Sequence, residues 1–189
     1  MPHINLPPGY PGIRSLFAFR SETGQPLCDL AQVLLYTPHP TLSAGEREVI
    51  AAYVSSLNTC KFCTNSHSAI ARHQLGDDSG IVKQVIADPE TASISEKLKA
   101  LLKIAAKVQS GGKNVLESDI EAARNQGATD IEIHDTVLIA AAFCMYNRYV
   151  DGLATWQPED GEMYDKMAAQ RVRDGYRPNS MQPVETSLK

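Results

Sequence analysis

No stretch of this chain approaches the roughly 18 apolar residues that a membrane-spanning helix requires. Basic runs are missing as well. The 18 lysines and arginines are scattered among 22 acidic residues, for a net charge of −4. Nothing in that pattern points to a nucleic-acid partner or to an anionic membrane surface. The opening Met1-Pro2-His3 carries no basic-then-apolar leader pattern, so the expected location is a reducing cytoplasm. Cysteine is scarce, with only Cys28, Cys60, Cys63 and Cys144. In a reducing compartment a C-x-x-C pair is expected to be catalytic or metal-binding rather than a permanent crosslink. What remains is an ordinary globular composition, 43% hydrophobic and 21% charged. At 189 residues the chain is long enough to bury a core without disulfides.

Strand patterns are missing too, and the periodicity predicts an all-α chain. Residues 1–20 hold four prolines and two glycines and are expected to form an extended arm. Its apolar residues, Ile4, Leu6, Tyr10, Ile13, Leu16 and Phe17, suggest that it lies on a surface, such as a neighbouring subunit. A single helical domain is expected over 21–177, with a mobile or partner-bound polar tail at 178–189. Helices are predicted from Pro26 to Tyr36, from Ser43 to Leu57, and from Cys60 to Leu75 with Gly76 as the stop. Further helices are predicted over 77–87, 96–109, 117–125, from about 130 to 153, and over 163–172. The helix from about 130 to 153 is apolar on most faces and is expected at the centre or at a subunit interface. A faint repeat is present: helix stop, cap and amphipathic helix follow both Gly76 and Gly127.

The chemistry concentrates between Ser43 and Gly76. Cys60, Cys63 and His67 fall within roughly 60° of one another on a helix surface at about 100° per residue. Cys63 and His67 are four apart, hence neighbours. Two thiols three apart can close a disulfide across one turn if the backbone allows. Both lie in the first turn, where the helix dipole favours thiolate. His67 can take the proton of Cys63, which makes Cys63 the expected nucleophile and Cys60 its resolving partner. A carboxylate that orients His67 would strengthen it as a base. Glu48 is the candidate for that role, with a solvated surface charge as the alternative; the spacing of Glu46 suits the cap instead. Three other uses of the cysteines compete with this one. A structural zinc site needs four ligands and only three are at hand. A thioredoxin fold needs strands around the motif. Simple core packing leaves His67 unexplained. Cys28 is expected to be a packed side chain. His39, His73 and His134 are expected to be structural or exposed, and Arg148 to form an interhelical or intersubunit ion pair.

Glu48, eleven intervening residues, Cys60-x-x-Cys63 and then His67 resemble the alkylhydroperoxidase D (AhpD-like) core within the carboxymuconolactone decarboxylase superfamily. Gly127-x-x-Asp130-x-Glu132-Ile133-x-Asp135 and the run Tyr146-Asn147-Arg148-Tyr149-Val150-Asp151-Gly152-Leu153 resemble its peroxidase-related subgroup. The resemblance implies an all-helical bundle that assembles as trimers or hexamers, with no metal, haem or other cofactor. It implies a hydroperoxide substrate attacked by Cys63, a disulfide formed with Cys60, and a His67–Glu48 proton relay. The reductant would be a dithiol, in the best-known members a lipoylated protein. The chain departs from those members at Phe62, where they can carry a second histidine; that change weakens the relay. The decarboxylase branch lacks the cysteine pair. A non-catalytic thiol sensor or scaffold of the same fold is the alternative function.

Overall fold

The computed structural model describes residues 1–76 and 80–177. Among them there are helices and no strand, in the order α1 (Ile13–Phe19), α2 (Ser21–Ala31), a π-helical turn (Gln32–Tyr36), α3 (Ala44–Leu57), α4 (Lys61–Leu75), α5 (Ile81–Ala87), α6 (Glu96–Ser110), a 3-10 turn (Gly112–Asn114), α7 (Glu117–Asn125), α8 (Asp130–Gly152) and α9 (Gly161–Asp174). None of these helices is long and apolar enough to cross a membrane.

Local chemistry explains most of the boundaries. The Ser43 hydroxyl accepts from the Glu46 N–H, and the Glu46 carboxylate accepts from the Ser43 N–H, closing a capping box at the start of α3. Thr129 and Glu132 do the same for α8. Gly76 ends α4 at φ 59°, ψ 43°, the left-handed conformation that favours glycine.

Four expectations are corrected. The residues assigned to an extended arm include a helix, because Ile13–Phe19 form α1 and its Leu16 is buried. Their prolines all precede Gly12 and so leave the helix free to form. The second helix begins at Ser21 rather than Pro26. Gly24 packs so closely against the Phe17 backbone that a Cβ would lie 2.8 Å from its Cα. That α1–α2 contact holds the turn before Pro26 helical. Cys60 stands at the N-cap of α4, with no side-chain cap from Asn58 or Thr59. Arg148 is exposed, and its guanidinium donates to the Cys144 carbonyl of its own helix at 2.8 Å. Among the described residues it forms no interhelical pair, because its position on α8 faces outward, and the intersubunit alternative concerns a partner the single chain does not contain. The polar tail expected at 178–189 lies outside the described residues.

The main core joins α3, α5, α6 and α8 through residues such as Ile50, Val54, Leu102, Ile139 and Phe143. Each such side chain contributes about 1.5–3 kcal/mol by leaving water. A second apolar cluster lies between α4, α9 and the end of α8, and contains Cys60, Phe62, Cys63, Val150 and Tyr164. The dithiol therefore sits in a packed layer rather than on a loop.

Candidate active site

The α3–α4 hairpin sets the site. Asn58 and Thr59 reverse the chain, with Thr59 at φ 57°, so that α4 runs back along α3. This brings the imidazole of His67 to the carboxylate of Glu48, Nδ1 to Oε2, at 2.7 Å. Glu48 has no solvent exposure at all, so the surface-charge alternative does not hold. Glu46 is occupied in the cap, as its spacing suggested. With Nδ1–H donating to the carboxylate, a neutral His67 carries its lone pair on Nε2, the form a base requires.

A third group completes this arrangement and was not found from the sequence. The Tyr176 hydroxyl donates to the other carboxylate oxygen of Glu48, Oε1, at 2.5 Å. The Tyr176 ring lies stacked beside His67, with centroids 6.2 Å apart and planes 9° from parallel. Phe143 meets the imidazole edge-on at 4.6 Å. Burial, with the Glu48 charge next, holds the Tyr176 phenol well above its ordinary range, so it stays a donor. Tyr176 is delivered by Gly175, at φ 73°. A Cβ there would lie 2.5 Å from the Gln32 side-chain oxygen. That oxygen accepts the Tyr176 N–H at 2.7 Å. The π-helical turn carries both Gln32 and Tyr36, and the Tyr36 hydroxyl donates to the Arg173 carbonyl at 3.0 Å. The turn thus anchors the end of α9 over the site. π-helical turns of this kind are frequent at functional sites.

Cys60 and Cys63 are both free thiols, 0% and 3% exposed, and hydrogen-bond to each other. Contrary to the expectation from the helix dipole, the Cys63 thiol is pushed well up. The bond to Cys60 is the largest cause and burial the next, while a hydrogen bond from Asn147 pulls the other way. Asn147 is a second residue that the sequence did not mark. It is buried, its amide donates to the Ser55 hydroxyl at 3.1 Å, and it favours the Cys63 thiolate. Its oxygen accepts from Asn58 at 2.8 Å. Asn58 in turn accepts from Gln109 at 3.0 Å. The oxygen of Asn147 and one of its donors are thereby satisfied, and α8 places the amide beside the thiol. The structure brings all four expected residues into one region, but it puts no direct hydrogen bond between Cys63 and His67.

Among the described residues, no three His, Cys, Asp or Glu side chains converge as a metal-ligand set. His39, His73 and His134 face Asp135, Asp165 and Asp135 respectively and take no part in the dithiol site. Cys28 is packed, as expected, and burial raises its thiol to about 11.

Comparison with known proteins gives this geometry a context. The family model for the carboxymuconolactone decarboxylase family matches residues 21–92 and again 81–157. The double match accords with the repeated pattern after Gly76 and Gly127. No functionally curated protein matches. Among solved structures, one described as an alkylhydroperoxidase AhpD core, an uncharacterized peroxidase-related protein from Ralstonia eutropha JMP134, is 27% identical, covers 84% of this chain and 80% of its own, and superposes with a TM-score of 0.74. An uncharacterized peroxidase-related protein from Silicibacter sp. TM1040 is 28% identical, covers 82% and 78%, and has a TM-score of 0.73. A protein of unknown function from Agrobacterium tumefaciens, described as a putative antioxidant defence protein AhpD, shares the fold at 19% identity, covering 85% and 100%, with a TM-score of 0.67.

Proposed function

The chain belongs to the carboxymuconolactone decarboxylase family, and from that premise we propose that it is a thiol-dependent hydroperoxide reductase. The Glu48–His67 hydrogen bond beside the Cys60–Cys63 dithiol is the observation that carries this reading. The peroxidase-related description of similar structures supports it.

In the proposed cycle His67, oriented by Glu48 and Tyr176, takes the Cys63 proton through an intervening water. The Cys63 thiolate attacks the distal oxygen of the hydroperoxide. The O–O bond breaks, the alkoxide takes a proton to leave as an alcohol, and Cys63 becomes a sulfenic acid. The Cys60 thiolate then attacks that sulfur, hydroxide leaves and is protonated to water, and a disulfide forms. An external dithiol, such as a dihydrolipoyl group on a partner protein, returns two electrons and two protons. The assignment of attack to Cys63 rests on His67 lying four residues away. A positioned base contributes on the order of 100- to 10,000-fold, whereas a helix-terminus effect on Cys60 is worth about 0.3–1 kcal/mol. The proposed setting is a cytoplasmic homo-oligomer, trimer or hexamer.

Mass spectrometry after a peroxide pulse tests the roles. Cys60→Ser should still give a trappable sulfenic acid on Cys63 but no turnover, and Cys63→Ser should give none rapidly. His67→Ala should slow oxidation, with partial recovery at high pH. Fast sulfenic acid on Cys60 in the Cys63→Ser protein would reverse the assignment.

A second reading, a stoichiometric redox sensor, is favoured by the burial of both thiols and the raised Cys63. Sustained peroxide consumption with a dithiol donor distinguishes the reductase from a sensor, which would give a single burst of one equivalent.

A further inference from the structure

We propose that Gln109 of α6 is a positioning residue for the Cys63 thiol, acting through a chain of side-chain amides, Gln109 to Asn58 to Asn147, that turns the NH2 of Asn147 rather than its oxygen towards the sulfur. This role presupposes Cys63 as the attacking thiol, as proposed above. It also ties the site to α6, a helix that carries none of the groups placed there so far.

The chain of amides is continuous. The Gln109 NH2 donates to Asn58 Oδ1 at 3.0 Å and to the Leu57 carbonyl at 3.5 Å. Asn58 stands at the end of α3. Its Nδ2 donates to Asn147 Oδ1 at 2.8 Å and lies 3.6 Å from Cys144 Sγ. On α8, Asn147 Nδ2 donates to the Ser55 hydroxyl at 3.1 Å, and the same amide favours the Cys63 thiolate.

A side-chain amide has nearly the same shape with its oxygen and NH2 exchanged. Beside a thiol the two orientations act in opposite directions. An NH2 stabilises the thiolate, and an oxygen opposes it. The immediate neighbours of Asn147 do not fix that choice, because a serine hydroxyl and a thiol can each donate or accept. The Leu57 carbonyl can only accept. It holds the Gln109 NH2 towards the end of α3, so Asn58 presents its oxygen to Gln109 and its NH2 to Asn147. Asn147 then presents its oxygen to Asn58 and keeps its NH2 for Ser55 and the thiol. Reversing one amide alone would set two oxygens or two NH2 groups face to face. Asn147 and Ser55 are 1% and 0% exposed, so such a mismatch falls on groups shielded from water and is costly. The sense of the whole chain is therefore set at its outer end, where Gln109 is half-buried.

Gln109→Glu tests this role in the full-length Cys60→Ala protein, where Cys63 titrates without its neighbouring thiol. A carboxylate only accepts, so Asn58 must turn its NH2 to residue 109, and Asn147 must reverse in turn. Alkylation of Cys63 by iodoacetamide is followed across pH by peptide mass spectrometry. Its profile should move to higher pH, and below the midpoint the reaction should be about 2- to 10-fold slower. Ser110→Glu adds the same charge at the adjacent, exposed position and should leave the profile close to that of the Cys60→Ala parent. Should Gln109→Glu fail to fold, Asn58→Asp reverses Asn147 from the next position and carries the same expectation. A folded Gln109→Glu or Asn58→Asp protein with the parent profile, or equal shifts in it and in Ser110→Glu, would overturn the role of Gln109. No peroxide enters the measurement. An unmoved profile would therefore leave peroxide turnover standing, and a protein without turnover could still show the shift.

Discussion

Tyr176 and Glu48, 128 residues apart in sequence, share a hydrogen bond from phenol to carboxylate at 2.5 Å. Glu48 therefore accepts from two sides at once, and the imidazole of His67 is held both by its own bond and by the ring stacked beside it. Tyr176→Phe removes one donor while keeping the ring. A net hydrogen bond of about 0.5–1.5 kcal/mol corresponds to a ~2- to 10-fold slower oxidation of Cys63, with little change in melting temperature. Stopped-flow rates equal to wild type would show that Tyr176 does not position the relay.

Gly175 makes a sharper demand, because its φ of 73° strains any residue that carries a Cβ, and the Gln32 oxygen that accepts the Tyr176 N–H would have to move aside. Gly175→Ala should cost about 1–3 kcal/mol of stability and also pull Tyr176 from Glu48. Denaturant midpoints and oxidation rates should fall together, in contrast to Tyr176→Phe. A midpoint unchanged from wild type would contradict the packing described.

Asn147 holds a donor against Cys63. In a Cys60→Ala background, Asn147→Leu should shift the pH midpoint of Cys63 alkylation upward, because the amide favours the thiolate. It should also destabilise the fold, since Asn58 and Ser55 lose a partner. An alkylation profile unmoved by the substitution would remove Asn147 from the site.

Acid should weaken the second half of the fold. Burial alone would raise the Glu132 carboxyl. The Lys97 ammonium, at 2.6 Å, and the Thr129 backbone and hydroxyl outweigh it and bring Glu132 to about 2. A depressed folded-state value contributes stability above the unfolded value of 4.5, and that stability is lost as pH falls from there towards 2. Lys97 is partly exposed, so screening leaves about 1–3 kcal/mol. Urea titrations of wild type and Glu132→Gln should differ at pH 7 and converge only as pH falls to about 2; a constant difference would refute this linkage.

Several large apolar side chains stand exposed on the single chain, among them Phe19, Val33, Ile131, Met145 and Trp156. Ile131 and Met145 lie on α8, the helix whose sequence is apolar on most faces. Oligomerisation would cover such surface. Light scattering at micromolar concentration should return a multiple of the 20.6 kDa chain mass; a monomer mass would rule the assembly out.

The sequence by itself determined what is local. The capping boxes at Ser43 and Thr129 and the left-handed stop at Gly76 place helix ends, because each involves residues no more than four apart. The common face of Cys63 and His67 follows from the helical period alone, and the α3–α4 hairpin then brings Glu48 within reach. Only the tertiary structure decided the rest. Tyr176 and Asn147 reach the site from the turn after α9 and from α8, and no spacing rule connects residues so far apart in sequence. The upward shift of Cys63 is partly of this kind: its largest cause, Cys60, lies three residues away, but burial, the next, does not come from the chain's local order. The dipole that argued for thiolate is set by position in α4, while the burial that opposes it comes from packing against α8 and α9. The first can be read along the chain; the second exists only once the helices have met.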